Sequence, residues 1–247
     1  MNTTNILIGR SFTADGLPME GSGVLLKRNS PTARLLLAQQ DTVIIANPVT
    51  KEYGAAVLVK NKHGKEVLQG LGIIPPASVG PPPHIHPSYD EIFTVLEGSF
   101  DFLLNGKTLR IGEGETIVVK KGTAHTFKPA ATDSVCSFLL EADPPGKLNE
   151  VIRTIWGLAL DGKTNAKGQP NDFWQGIAIG HELADDTLFV SPPPFVQKLL
   201  FKWFGKTATK KGYKGIYDTY TADDFWKKRV EQLATASVQK LTYGNER

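Results

Sequence analysis

Between Thr42 and Ala142 the chain is a succession of short apolar runs: TVIIA, AAVLVK, EVLQGLGII, EIFTVLEG, FDFLL, KTLRI, ETIVV, HTFK and SVCSFLLEA. They are rich in β-branched and aromatic residues, and Gly, Pro, Asn and Asp bound them. Many short strands at regular spacing predict a β-sandwich or barrel. The Asn105-Gly106 pair between FDFLL and KTLRI supplies the positive φ angles that a tight hairpin turn requires.

Within that frame, His84, His86, Glu91 and His125 stand out. Side chains alternate along a strand, so His84 and His86 point the same way and Ile85 points oppositely. Glu91 opens the run EIFTVL and can return to that side from the next strand, while His125 lies beyond a hairpin. Imidazoles and a carboxylate converging on one point suit a divalent transition metal. Three His and one Glu leave open positions on a six-coordinate ion, as a catalytic metal requires. Taken singly, a His-x-His is commonly an exposed strand pair and a Glu a solvated charge; the combination reverses that balance. The triple proline 81–83 stiffens the approach to His84.

These residues resemble the two motifs of the cupin superfamily. His84, His86, Glu91 and Gly98 match the first motif, with Ser78 where it begins with Gly. Gly114, Gly122 and His125 match the second, with Lys120 in place of its Pro and Pro129 in place of its Asn. The resemblance covers roughly residues 40–142. It implies a mainly β fold, a cupin jelly-roll or double-stranded β-helix barrel, and one divalent metal per chain, Fe, Mn, Ni or Zn. The family hosts dioxygenases, decarboxylases, isomerases and storage or binding proteins, so it does not name a reaction. The expected activity is that of a dioxygenase-like metal-dependent oxidoreductase. Glu91 would act as a proton acceptor on a pKa raised by an apolar pocket. Strand alternation turns Phe93 and Val95 inward from Glu91, and Phe127 inward from His125. With Phe102 these residues would line a pocket for a small apolar or phenolic molecule. The alternatives are a non-catalytic binding or storage cupin, or a Lewis-acid isomerase, decarboxylase or hydrolase.

Residues 1–142 hold equal numbers of basic and acidic side chains, and the net charge of +3 lies wholly in the tail. That is too weak for a nucleic-acid partner. A single cysteine, Cys136, excludes an internal disulfide and reads as a buried strand residue. No stretch reaches membrane-span length and the N-terminus lacks a secretory pattern, so a cytoplasmic location is the expectation.

The division expected is an N-terminal arm over 1–40, a cupin barrel over 41–142 and a helical C-terminal extension over 143–247. The arm reads as loose, with one short strand at GVLLK. Helical spacing appears at 148–160, 171–183 and 195–206, and Thr221 with Asp224 resembles a capping box opening a fourth helix from Ala222 to Lys240. Segment 192–217 has six lysines and no acid. On a helix, Lys198, Lys202 and Lys206 share one narrow face, and Val196, Leu199, Leu200, Phe201, Trp203 and Phe204 fill a wide opposite arc. That arc is expected to pack on the barrel or across a homodimer rather than to touch a membrane; the alternative is a helix lying on an anionic membrane surface. His63 reads as a turn residue and His181 as a helix-end residue.

Overall fold

The β-rich pattern folds as two antiparallel sheets packed face to face, seen in a computed structural model that describes residues 5–233 except positions 62, 77, 79, 131, 132 and 145. The first part of the chain forms β1 (Asn5–Ile8), β2 (Val24–Lys27) and α1 (Pro31–Leu37). The barrel follows with β3 (Ile44–Asn47), β4 (Glu52–Lys60), β5 (Glu66–Ile74), β6 (His84–Ile85), β7 (Asp90–Glu97), β8 (Ser99–Leu104), β9 (Lys107–Gly112), β10 (Thr116–Val119), β11 (His125–Pro129) and β12 (Cys136–Asp143). The extension comprises α2 (Leu148–Leu160), α3 (Phe173–Leu183), β13 (Leu188–Phe189), α4 (Pro194–Lys210), α5 (Asp218–Thr221) and α6 (Asp223–Arg229). One sheet runs β10-β7-β12-β5-β4-β3 and the other β13-β6-β11-β8-β9. Asn105 and Gly106 adopt φ of 45° and 82°, so the β8–β9 hairpin closes on the expected turn.

The space between the sheets is filled from both sides. Phe93 and Val95 of β7, Phe138 of β12 and Ile117 and Val119 of β10 meet Phe100 and Phe102 of β8. Close packing here depends on Gly72, where an added Cβ would lie 2.5 Å from the Phe138 ring. The other face of the six-stranded sheet is also covered. Tyr53, Ala55 and Val57 of β4 pack with Leu71 and Ile73 of β5 against Ile8, Val24, Leu26, Ala33 and Leu36 from the first part of the chain. Residues 5–37, expected as a loose arm with one strand, therefore form a strand pair and a helix built into the core. Ser30 caps α1 at the Ala33 amide, and Pro31 occupies its first turn.

The extension is tied to this second core. Trp226 of α6, fully buried, and Leu160 of α2 join the same cluster. Arg229 donates to the carbonyls of Phe12 and Leu160 and to Asp161. The helix expected from Ala222 onward ends at Arg229. Val230 turns extended and bridges Ser11, and Glu231 exchanges backbone hydrogen bonds with Gly9 and Arg10. Pairing with the N-terminal segment supplies what further helical turns would have. The rest of that expected helix, from position 234, lies outside the described residues. Thr221 is not its cap: the N-cap is Ala222, without a side-chain bond, and Thr221 bonds Asp218 O within α5.

Helix α4 lies on α3 rather than on the barrel. Leu200, Phe201 and Phe204 pack with Trp174, Ile177 and Ala178, and an added Cβ on Gly180 would meet the Phe201 ring at 2.2 Å. Leu199 and Trp203, assigned to the packed arc, stay exposed. The helix has rolled to suit α3, which divides the arc.

Candidate metal centre

β6 and β11 place His84 directly opposite His125 in the register of the five-stranded sheet. His86 follows β6 immediately, and its backbone carbonyl accepts from Gly122 N. Glu91 comes from β7 of the facing sheet. The fold thus brings four residues from four sequence positions to one end of the barrel, all buried, with one ligand atom from each lying within 4.8 Å of the others. Glu91 Oε2 is 2.8 Å from His125 Nε2 and 3.1 Å from His86 Nε2.

All three imidazoles are held by Nδ1. His84 Nδ1 donates to Pro82 O at 2.8 Å, His125 Nδ1 to Thr123 O at 3.0 Å and His86 Nδ1 to Asp186 O at 3.0 Å. A carbonyl only accepts, so each Nδ1 carries a proton and each Nε2 faces the site. His86 Nε2 is buried and makes no hydrogen bond, its contact with Glu91 being close but poorly aligned. Ring nitrogens and a carboxylate oxygen this close are held together by a shared proton or by a cation among them. The donor set therefore fits a divalent transition metal, through the three Nε2 atoms and Glu91, and carbonyl partners behind metal-binding imidazoles fix ring orientation.

The electrostatics correct one expectation. Burial alone would raise the pKa of Glu91, but the close imidazoles of His125 and His86 outweigh it and hold the carboxyl at about 2. Glu91 is an ionised carboxylate at neutral pH, not a carboxyl poised near neutrality. His84 is lowered from 6.5 to about 4, by burial first and then by its two neighbouring imidazoles, and so stays neutral and able to bind.

Two partners of His86 carry no signal in the sequence. Asp186 O and Thr187 Oγ1, the latter 3.1 Å from Nδ1, come from the segment between α3 and β13, about a hundred residues away in the chain. β13 then pairs with β6 beside His84, and Ser88 Oγ donates to Asp185 O. The Tyr89 ring stacks on His86 at 4.5 Å between centroids and 24° between planes. The extension thus clasps the strand that bears two of the four donors. Replacing Thr187 with Val is expected to weaken metal binding about tenfold with little change in melting temperature, because losing an outer partner costs roughly 10–100-fold. Titration calorimetry with Ni(II) or Zn(II) reads it; unchanged affinity would mean that the backbone carbonyl alone orients the ring.

Below the donors, Phe93 follows Glu91 by two residues and Phe127 follows His125 by two, with Phe102 across from Phe127 in the register. The three rings touch edge to face or tilted, with centroids 5.1–5.5 Å apart, and Phe93 and Phe102 are fully buried. Val95, also fully buried, lies one layer deeper, opposite Phe138. Among the other expected residues, His63 sits in an exposed turn and His181 on α3, and neither belongs to the donor group.

The family model for the cupin domain matches residues 70–140. "Putative germin-like protein 2-3" of Oryza sativa subsp. japonica is 34% identical over 126 residues, covering 46% of this chain and 56% of its own length. The chain thus spans little more than half of that protein. "Probable oxidoreductase virH" of Hypocrea virens is 31% identical over 157 residues, covering 57% of this chain and 68% of that protein. Among solved structures, KdgF from Halomonas sp. is 24% identical, covers 36% of this chain and 76% of its own, and superposes with a TM-score of 0.29.

Proposed function

The chain belongs to the cupin superfamily, and from that premise we propose that it is a metal-dependent, dioxygenase-like oxidoreductase acting on a small apolar or phenolic molecule. His84, His86, Glu91 and His125 hold one divalent transition metal, Fe, Mn, Ni or Zn. The observation that carries the reading is that three buried imidazoles, each pinned at Nδ1, direct Nε2 toward one carboxylate. The likeness to a protein named as an oxidoreductase supports the reaction class. When bound, such a metal supplies positive charge and open positions for substrate and oxygen.

The chain's own residues supply binding and proton handling. Phe93, Phe102 and Phe127, with Val95 behind them, form the apolar floor beneath the donors and favour an aromatic face over a sugar phosphate or a small dianion. Glu91 accepts the proton of the substrate hydroxyl. The tight ring-to-ring packing of the floor favours a second reading, a non-catalytic cupin that only binds such molecules. Oxygen uptake by metal-loaded protein with a panel of phenols and enols separates the two. Consumption that vanishes in Glu91→Gln supports the enzyme; tight binding without oxygen consumption overturns it.

The ion is not expected to be the staple of the fold. Two extensive apolar clusters, one between the sheets and one behind the larger sheet, are built without it. Chelation is expected to lower the melting temperature by several degrees and leave the β-type circular dichroism at room temperature intact. Loss of that signal on adding chelator would assign the metal a structural role.

A further inference from the structure

The outward face of α4 combines features that neither the barrel nor α3 uses. Phe195, Leu199 and Trp203 recur at four-residue spacing and are 73%, 43% and 61% exposed. Lys198, Lys202, Lys206 and Lys210, all exposed, fall on the same side of the helix. The inward side is already occupied by α3, so this outer side is not needed to hold the helix in place. α4 is fixed at its start as well: the Gln197 side chain bonds both backbone groups of Phe189 and also Pro192 O. No acidic residue occurs from 192 to 217 to neutralise the lysines.

We propose that this face is a docking surface for an anionic lipid bilayer. Charge selects that occupant. A row of lysines with no acid among them is attracted to a surface dense in phosphate, by about fivefold in affinity per lysine held near it. Trp, Phe and Leu beside the lysines enter the boundary between headgroups and acyl chains, the arrangement of helices that lie in the membrane plane. A second copy is a poorer occupant, because a two-fold interface through this face sets one lysine row against the other. Nor does the contact resemble a span, since among the described residues no helix is long and apolar enough to cross a membrane. The sequence alone favoured packing of the whole apolar arc; the exposure of Leu199 and Trp203 removes the basis for that expectation.

The test is co-sedimentation of the full chain with vesicles of phosphatidylcholine alone and of phosphatidylcholine mixed with phosphatidylglycerol. Binding is expected only to the mixed vesicles and is expected to weaken with added salt. Phe195→Ser combined with Leu199→Ser and Trp203→Ser should weaken it more than about tenfold, and so should Lys198→Gln combined with Lys202→Gln and Lys206→Gln. All six positions are exposed, so an unchanged melting temperature is expected alongside. Failure of the unaltered protein to bind the mixed vesicles overturns the proposal, as does equal binding by either triple variant. A protein that ignores vesicles but falls from dimer to monomer in the apolar triple variant assigns the face to a second copy instead.

Discussion

Protein carrying His86→Ala is expected to purify with almost no divalent metal, its affinity falling by more than about a hundredfold, beyond what loss of an outer partner costs. Three consequences of one substitution combine. The Nε2 donor disappears, Glu91 loses one of the two ring nitrogens beside it, and the Asp186 carbonyl and Thr187 hydroxyl lose the ring they orient. The surrounding sheet should remain, because His86 lies at a strand end and contributes little to either apolar cluster. Elemental analysis and calorimetric titration of the purified variant measure the effect. Metal at the unaltered level in both His84→Ala and His86→Ala would sink the assignment of the centre.

The second large effect concerns the junction of the extension with the barrel. Trp226→Ala is expected to cost about 3–5 kcal/mol, the range for deleting a large buried aromatic side chain. Trp226 is fully buried among residues from the N-terminal strands, β3 and β4 and α2, and its indole N–H donates to Tyr220 O at 2.6 Å. Truncation leaves a cavity at the meeting point of three parts of the chain and orphans that carbonyl. A loss of this size is a large share of an ordinary domain's stability and should appear in urea denaturation as one cooperative transition moved to lower denaturant. A loss below about 1 kcal/mol, or a separate early transition, would show that the extension folds apart from the barrel.

The strands and the four candidate donors were legible because their signals are local. Alternation along β7 turns Glu91, Phe93 and Val95 to one side whatever surrounds them, and Asn105-Gly106 favours its turn from within. The helix α1 was also readable in principle, since Ser30-Pro31 is a helix-start signal. What was misjudged depends on neighbours. The pKa of Glu91 is the balance of two opposed effects, burial and the approach of His86 and His125, and only their positions decide which wins. The end of α6 at Arg229 follows from strand-like pairing with residues 9–12, far off in the chain.

By itself, then, the sequence pointed to a β-barrel of many short strands and a lysine-rich amphipathic helix through the spacing of nearby residues, and to the cupin fold and four candidate donors through its resemblance to that family's motifs. Only the tertiary structure decided which donors are braced and from where, and which side of α4 is left to solvent. Asp186 and Thr187 reach His86 across about a hundred residues, and the roll of α4 on α3 is set by how Phe201 fits over Gly180. Contacts of that kind depend on the complementary shapes of distant surfaces, which hydrophobic periodicity along one segment does not encode.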